Sequence, residues 1–196
     1  MEALRDGHPP VPTPGEQERL LDEWGVPPHI RRHSRQVARV ARVLGGWLRR
    51  FGEEPLDLAL LDAAAVLHDV AKARCFGSLQ DHAREGAEIL REAGYEAVAD
   101  LVGQHVELAS FDLEGPVGEA EVLNYSDKRV RHEEVVSLAE RFEDLIHRYA
   151  KGNAEAEARI RANWDRTRRL EEKLFRSLPF TPDDLTRAVR DSDSEG

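Results

Sequence analysis

Apolar positions recur along this chain at steps of three and four, the repeat of helices that each bury one stripe. Ile30, His33, Val37, Val40, Leu44, Trp47 and Phe51 keep that rhythm, and Leu58, Leu61, Ala65 and His68 take it up in the next segment. Valine and isoleucine are scattered at the same spacing rather than in alternating runs, so the pattern predicts an all-α chain with no sheet. Breaks at Pro27-Pro28, Gly52 to Pro55, Gly77-Ser78, Gly94, Gly115-Pro116 and Gly152-Asn153 divide the helices. Thr13 with Glu16 has the spacing of a capping box for the first helix, and Thr181-Pro182-Asp183-Asp184 marks a late helix start. Residues 1–15, with four of the ten prolines, read as a flexible arm, 16–150 as one helical domain, 151–190 as a helical extension and 191–196 as a disordered acidic tail. In the extension, Ile160, Trp164, Thr167, Leu170, Leu174 and Leu178 share a face. That face predicts a cover over the domain, with a homodimer contact or an active-site lid as the other uses.

Polar residues inside the buried stripes change this picture. His33 and His68 occupy stripe positions, His82 aligns with Gly86 and Ile89, His105 with Val98 and Val102, and Asp127 with Leu123 and Val130. Asp69 follows His68 directly. Burying four imidazoles and two carboxylates without partners costs several kcal/mol, so a shared cation is the economical explanation. Nitrogen and oxygen donors without a thiolate suit one or two ions of iron, manganese, nickel, cobalt or zinc better than magnesium. The alternative is a His–Asp hydrogen-bond network in which every buried polar atom finds a protein partner. His8 in the arm, His29 at a loop end, His132 and His147 read as peripheral.

The net charge of −10 and a pI near 5.3 oppose a broad nucleic-acid footprint, which needs many lysines and arginines to displace counterions. A small anionic substrate is compatible if local cations receive it, and Lys72 and Lys128, each close to a candidate ligand, are the best placed. Arg74 and Arg129 read as solvated helix surface. A single cysteine, Cys75, fits a packing role in a reducing compartment, and with no secretory or membrane-spanning stretch the expected location is cytoplasmic.

The ordered set His33, His68-Asp69, His82, His105, Asp127, at separations of 35, 14, 23 and 22 residues, together with His68-Asp69-Val70-Ala71-Lys72, resembles the HD-domain superfamily of metal-dependent phosphohydrolases. The resemblance implies an HD-type helical bundle in which His33, His68, Asp69 and Asp127 bind one metal, and Asp69 bridges to a second held by His82 and His105. The pattern is similar to that of the HD-type hydrolases of symmetrical dinucleoside polyphosphates. It differs from the HD-GYP phosphodiesterases, because Gln104-His105-Val106-Glu107 lacks their adjacent histidine and no Gly-Tyr-Pro is present. Ser126-Asp127-Lys128-Arg129-Val130, with Ser137-Leu138 and Arg141-Phe142, is similar to a group of small bacterial HD proteins.

The chemistry expected of such a set is hydrolysis of a phosphoester or phosphoanhydride in a nucleotide-like molecule, with Asp69 and Lys72 as the catalytic residues and Lys72 and Lys128 as substrate contacts. Asp81 and Glu107 read as solvated acids, either of which could orient the water. Two other functions stand beside it: the resemblance also implies a mixed-valent di-iron oxygenase, since some HD-fold enzymes carry this ligand set, and the amphipathic segment from Ile160 to Leu178 suits a non-catalytic nucleotide-sensing module. The loop from Ala109 to Gly118 is expected to shape specificity.

Overall fold

The computed structural model describes residues 9–52, 54–76, 81–110 and 112–192. Helix α1 (Pro14–Glu23) opens on the expected capping box: the Glu16 carboxylate accepts from the Thr13 N–H and hydroxyl, both at 2.7 Å. Pro14 and Gly15 therefore belong to the first helical turn, where the fixed φ of proline is favourable. The preceding residues are already docked, since the Gln17 side chain donates to the Pro12 carbonyl at 3.0 Å and Val11 packs on the core.

Helix α2 (Pro28–Phe51) is the spine of the fold. Its stripe is buried from Ile30 to Leu48, while the rings of Trp47 and Phe51 at its end meet Phe180 at centroid distances of 4.2 and 5.3 Å. Helix α3 (Leu58–Leu67) lies against α2, and Gly45 allows the close approach: a Cβ there would stand 2.9 Å from the Leu58 and Leu61 methyls. Small residues let α3 bury most of its circumference, from Ala63 through Leu67. Each fully buried leucine here, such as Leu44 or Leu67, contributes about 1.5–3 kcal/mol. Helices α4 (His82–Glu92) and α5 (Glu96–Val102) form a hairpin turned by Gly94 at φ +87°. Helix α5 packs on α3, and α6 (Glu119–Lys128) closes the group against α2 and α3.

Pure helicity fails over a few residues. Val130–Arg131 (β1) pairs antiparallel with Glu134–Val135 (β2) around His132, which adopts φ +56°. Two-residue strands are too short for alternation to be visible in a sequence. Ser137 caps α7 (Leu138–Leu145), which runs into a π-helical turn over Ile146–Ala150. Helix α8 (Ala154–Phe175) lies over α6 and α7, burying Thr167, Leu170 and Leu174 and stacking Trp164 on Phe142 at 5.7 Å. That is the covering face expected of the extension. Helix α9 (Pro182–Asp191) starts where Asp184 accepts from the Thr181 N–H and hydroxyl, and it packs on α2. Asp191, expected in a disordered tail, is helical. The break at Gly77-Ser78, His8 with the rest of residues 1–8, and residues 193–196 lie outside the described residues. No helix among the described residues is long and apolar enough to cross a membrane.

Candidate metal centre

Helices α2, α3, α4 and α6 and the turn after α5 bring all six predicted ligands to one place. His33 comes from the second turn of α2, on its buried face. His68 terminates α3 and Asp69 follows it, at 0% and 1% exposure. Gly86 in α4 faces this point, where a Cβ would press on Val70 and Val102 at 3.3 Å, so glycine lets α4 bring its first residue, His82, to the centre. His105 lies in the turn beyond Gly103 rather than on α5, which ends at Val102, yet it is 1% exposed. Asp127 sits near the end of α6, whereas Val130, with which its helical phase was matched, belongs to β1.

Asp69 is the hinge of the arrangement. Its Oδ2 faces His68 Nε2 at 3.4 Å and His33 Nε2 at 3.9 Å, and its Oδ1 faces His82 Nε2 at 3.5 Å and His105 Nε2 at 3.6 Å. Asp127 Oδ1 completes the first side, 3.1 Å from His33 Nε2 and 3.6 Å from His68 Nε2. Donor atoms around one transition metal at ~2.1 Å stand roughly 3.0–3.4 Å apart. The observed separations, 3.1 to 3.9 Å, start within that range and extend about half an ångström beyond it.

Tautomers decide what these contacts mean. Nδ1 of His33, His68 and His105 donates to the carbonyls of His132, Ala65 and Val102 at 2.8, 2.8 and 2.7 Å. A carbonyl only accepts, so each Nδ1 carries a proton and Nε2, the nitrogen able to ligate, is the one turned inward. The left-handed residue His132 thus supplies the carbonyl that orients His33. Inside, the Nε2 atoms of His33 and His68 face carboxylate oxygens, and His105 Nε2 meets His82 Nε2 at 3.2 Å. His68 Nε2 and Asp69 Oδ1 are buried with no hydrogen-bond partner among the described residues. The fully satisfied His–Asp network is therefore not what the fold builds. The residues fit a cation.

Without one, protons must take its place. Burial disfavours charge on His68, but Asp69 and Asp127 outweigh it and raise its pKa to about 9. Burial opposes ionisation of both aspartates as well, yet His68 and Lys72 hold Asp69, and Lys128 and His33 hold Asp127, well below the usual carboxylate range. On the other side, burial together with the neighbouring His105 pushes His82 down to about 4, and burial lowers His105 too.

Lys72 Nζ lies 2.6 Å from Asp69 Oδ2 and its side chain is part-exposed, so it can also face a ligand. Lys128 is buried, donating to the His105 carbonyl at 2.8 Å and to Asp127 Oδ2 at 3.0 Å. Asn124, which residue type alone did not mark, donates to the Gln104 and His105 carbonyls, both at 3.0 Å, and fixes the His105 turn. Arg129 corrects the expectation of a solvated residue: at 2% exposure its guanidinium reaches Val136, Tyr125 and Pro182, because α8 and α9 cover the outer face of α6. Arg74 is exposed and lies over the Trp24 ring at 4.7 Å. The two candidate acids have local partners: Asp81 caps α4 by accepting from Ala83 N–H, and Glu107 pairs with Arg166 of α8 at 3.1 Å.

No curated protein and no solved structure matches the chain. The family model of the HD domain matches residues 30–170, a span that contains all six converging side chains. HD domains bind divalent metals, and the family points in general to metal-dependent phosphohydrolase activity. With well over half of its length matched and its His/Asp cluster assembled, the chain belongs to the HD-domain family.

Proposed function

We propose that this protein is a metal-dependent phosphohydrolase that cleaves a phosphoester or phosphoanhydride bond of a small, nucleotide-like anion. The observation that carries this reading is Asp69, whose two oxygens each face two inward imidazole nitrogens while Lys72 stands at its open edge. His33, His68, Asp69 and Asp127 would hold one divalent cation, and Asp69, His82 and His105 a second. When bound, such cations supply Lewis-acid polarisation of a phosphoryl oxygen and an acidified water as nucleophile. Lys72 then contributes a cation where negative charge grows on the phosphate oxygens. Lys128 also contributes positive charge, and through Asp127 and the His105 carbonyl it keeps two ligand-bearing segments in register. Deeply buried rings whose outer nitrogens are already bonded cannot rotate away, so the donor set is preorganised.

Protein purified anaerobically is expected to retain transition metal, and a nucleotide panel supplied with manganese, iron or nickel is expected to yield phosphate. Asp69→Ala should lose the metal and reduce turnover more than about a hundredfold, with helical circular dichroism largely kept. Oxygen uptake by the reduced iron form with no phosphate from any panel member would replace the hydrolase by an oxygenase. Full activity in Asp69→Ala would remove the assignment altogether.

A further inference from the structure

We propose that Arg141 forms a second anion subsite beside the metal centre, binding a phosphate or carboxylate group of the substrate other than the phosphoryl group under attack. The inference rests on the hydrolase reading and extends it to a substrate with two anionic groups.

On α7, Leu138, Arg141, Phe142 and Leu145 follow the i, i+3, i+4, i+7 spacing of a buried stripe. Leu138 and Phe142 are buried in the core, and Arg141 between them is 7% exposed. A guanidinium thus stands where packing alone would place an aliphatic side chain. It is poorly satisfied there. Among the described residues its guanidinium makes one hydrogen bond, from Nη1 to Asp144 Oδ2 at 3.4 Å, and that same oxygen is held by Arg148 at 2.5 Å. The Nε atoms of both arginines are buried with no partner among the described residues. Two guanidinium groups sharing one carboxylate leave positive charge over, and a buried charge without a counter-ion is costly.

The fold puts this charge beside the centre. The β1–β2 hairpin, closed by Val136 N–H donating to the Arg129 carbonyl at 2.8 Å, turns α7 back against α6 just after Asp127 and Lys128. At that end of α6 Lys128 donates to Asp127 Oδ2 at 3.0 Å, and across the centre Lys72 donates to Asp69 Oδ2 at 2.6 Å. Asp127 serves Lys128 and Asp69 serves Lys72, so Arg141 is the member of this cationic group without an adequate anion. The following π-helical turn carries Tyr149, which is 59% exposed, with the Arg148 guanidinium 5.3 Å from its ring centre. Such turns recur at functional sites because they re-aim side chains out of helical phase. Helix α7 thus packs on the helix that carries Asp127 and Lys128, and the planar fork of Arg141 matches an oxyanion in two bonds.

The test uses the full-length, manganese-loaded protein and titration calorimetry with two non-hydrolysable probes: methylphosphonate, with one anionic group, and phosphonoacetate, which adds a carboxylate. Wild type is expected to prefer phosphonoacetate by at least about tenfold, the size of one charge-assisted contact. Arg141→Met should bring the two probes to within about twofold of each other. Should that variant fail to fold, Arg141→Lys carries the test, with the preference falling at least about threefold because a point charge cannot reproduce the fork. Equal affinities in wild type, or a preference intact in the folded variant, would overturn the subsite while leaving the metal centre standing. No metal-dependent binding of either probe would overturn the hydrolase reading, and the subsite with it.

Discussion

Two regions of this protein bury charge, and they handle it in opposite ways. In the seam between α6 and α8, Lys173 Nζ donates to both oxygens of Glu121 at 2.7 Å and to the Pro116 carbonyl at 2.9 Å. Beside it, Arg129 donates to Val136, Tyr125 and Pro182, and the Tyr125 hydroxyl donates to Glu171 Oε2 at 2.5 Å. These donors all have protein acceptors. In the metal centre the outer nitrogens of His33, His68 and His105 are satisfied while the inner ones face carboxylates and one another, and two buried atoms have no partner among the described residues. Burial of charge is common to both regions. What separates a structural network from a binding centre is which atoms remain unpaired, and in which direction they point.

The largest effect should come from breaking the paired region. Lys173→Met leaves the Glu121 carboxylate buried without its cation, which should cost about 3–5 kcal/mol in a denaturant melt. Metal content per folded chain should not change, and a variant that lost metal in proportion would erase the distinction between the regions. Lys72→Ala acts at the other region: turnover should fall about a hundredfold with metal content retained, measured by steady-state kinetics alongside elemental analysis. Loss of metal with activity would show Lys72 to be a scaffold for Asp69 instead.

The smallest effect, and the one that most sharpens the contrast, is a pH profile of the metal-free protein. The folded pKa of His68 is raised from 6.5 to about 9, so its contribution is complete below 6.5 and is lost as pH rises through about 9. The folded pKa of His82 is depressed from 6.5 to about 4, so its contribution is complete above 6.5 and is lost as pH falls through about 4. His105 is shifted in the same direction as His82. Thermal melts with chelator should peak near pH 6.5 and fall on both sides, whereas metal should flatten the alkaline limb by replacing the proton on His68. An alkaline limb identical with and without metal would separate His68 from the cation.

Helical phase made much of this legible before any coordinates. His33 and His68 could be assigned to the interior because the stripes around them are long and regular, and the capping box at Thr13 and Glu16 has a local cause that needs no tertiary context. His105 and Asp127 reached the predicted place by other routes, one from a turn past the end of α5 and one from a helix that stops before Val130. A period fitted across a helix end gave the right burial for the wrong local reason. Arg129 was misread because a charged residue declares its solvation only when both faces of its helix are known, and α8 and α9 arrive from some forty and fifty residues downstream. Asn124 and Arg141 were invisible as site candidates for the same reason: their significance lies in which carbonyl or carboxylate stands opposite.

By itself, the order of residues determined the helical periods, the caps and breaks, and the six polar positions set into apolar stripes, because each depends on neighbours within a turn or two of chain. Only the tertiary structure decided that Asp69 stands between two sets of imidazoles, that their Nε2 atoms point inward, and that every guanidinium nitrogen of Arg129 finds an acceptor while the Nε of Arg141 has none among the described residues. Those outcomes depend on distances between segments far apart in sequence, where hydrogen bonding and Coulomb forces act over a few ångströms and local pattern carries no record of them.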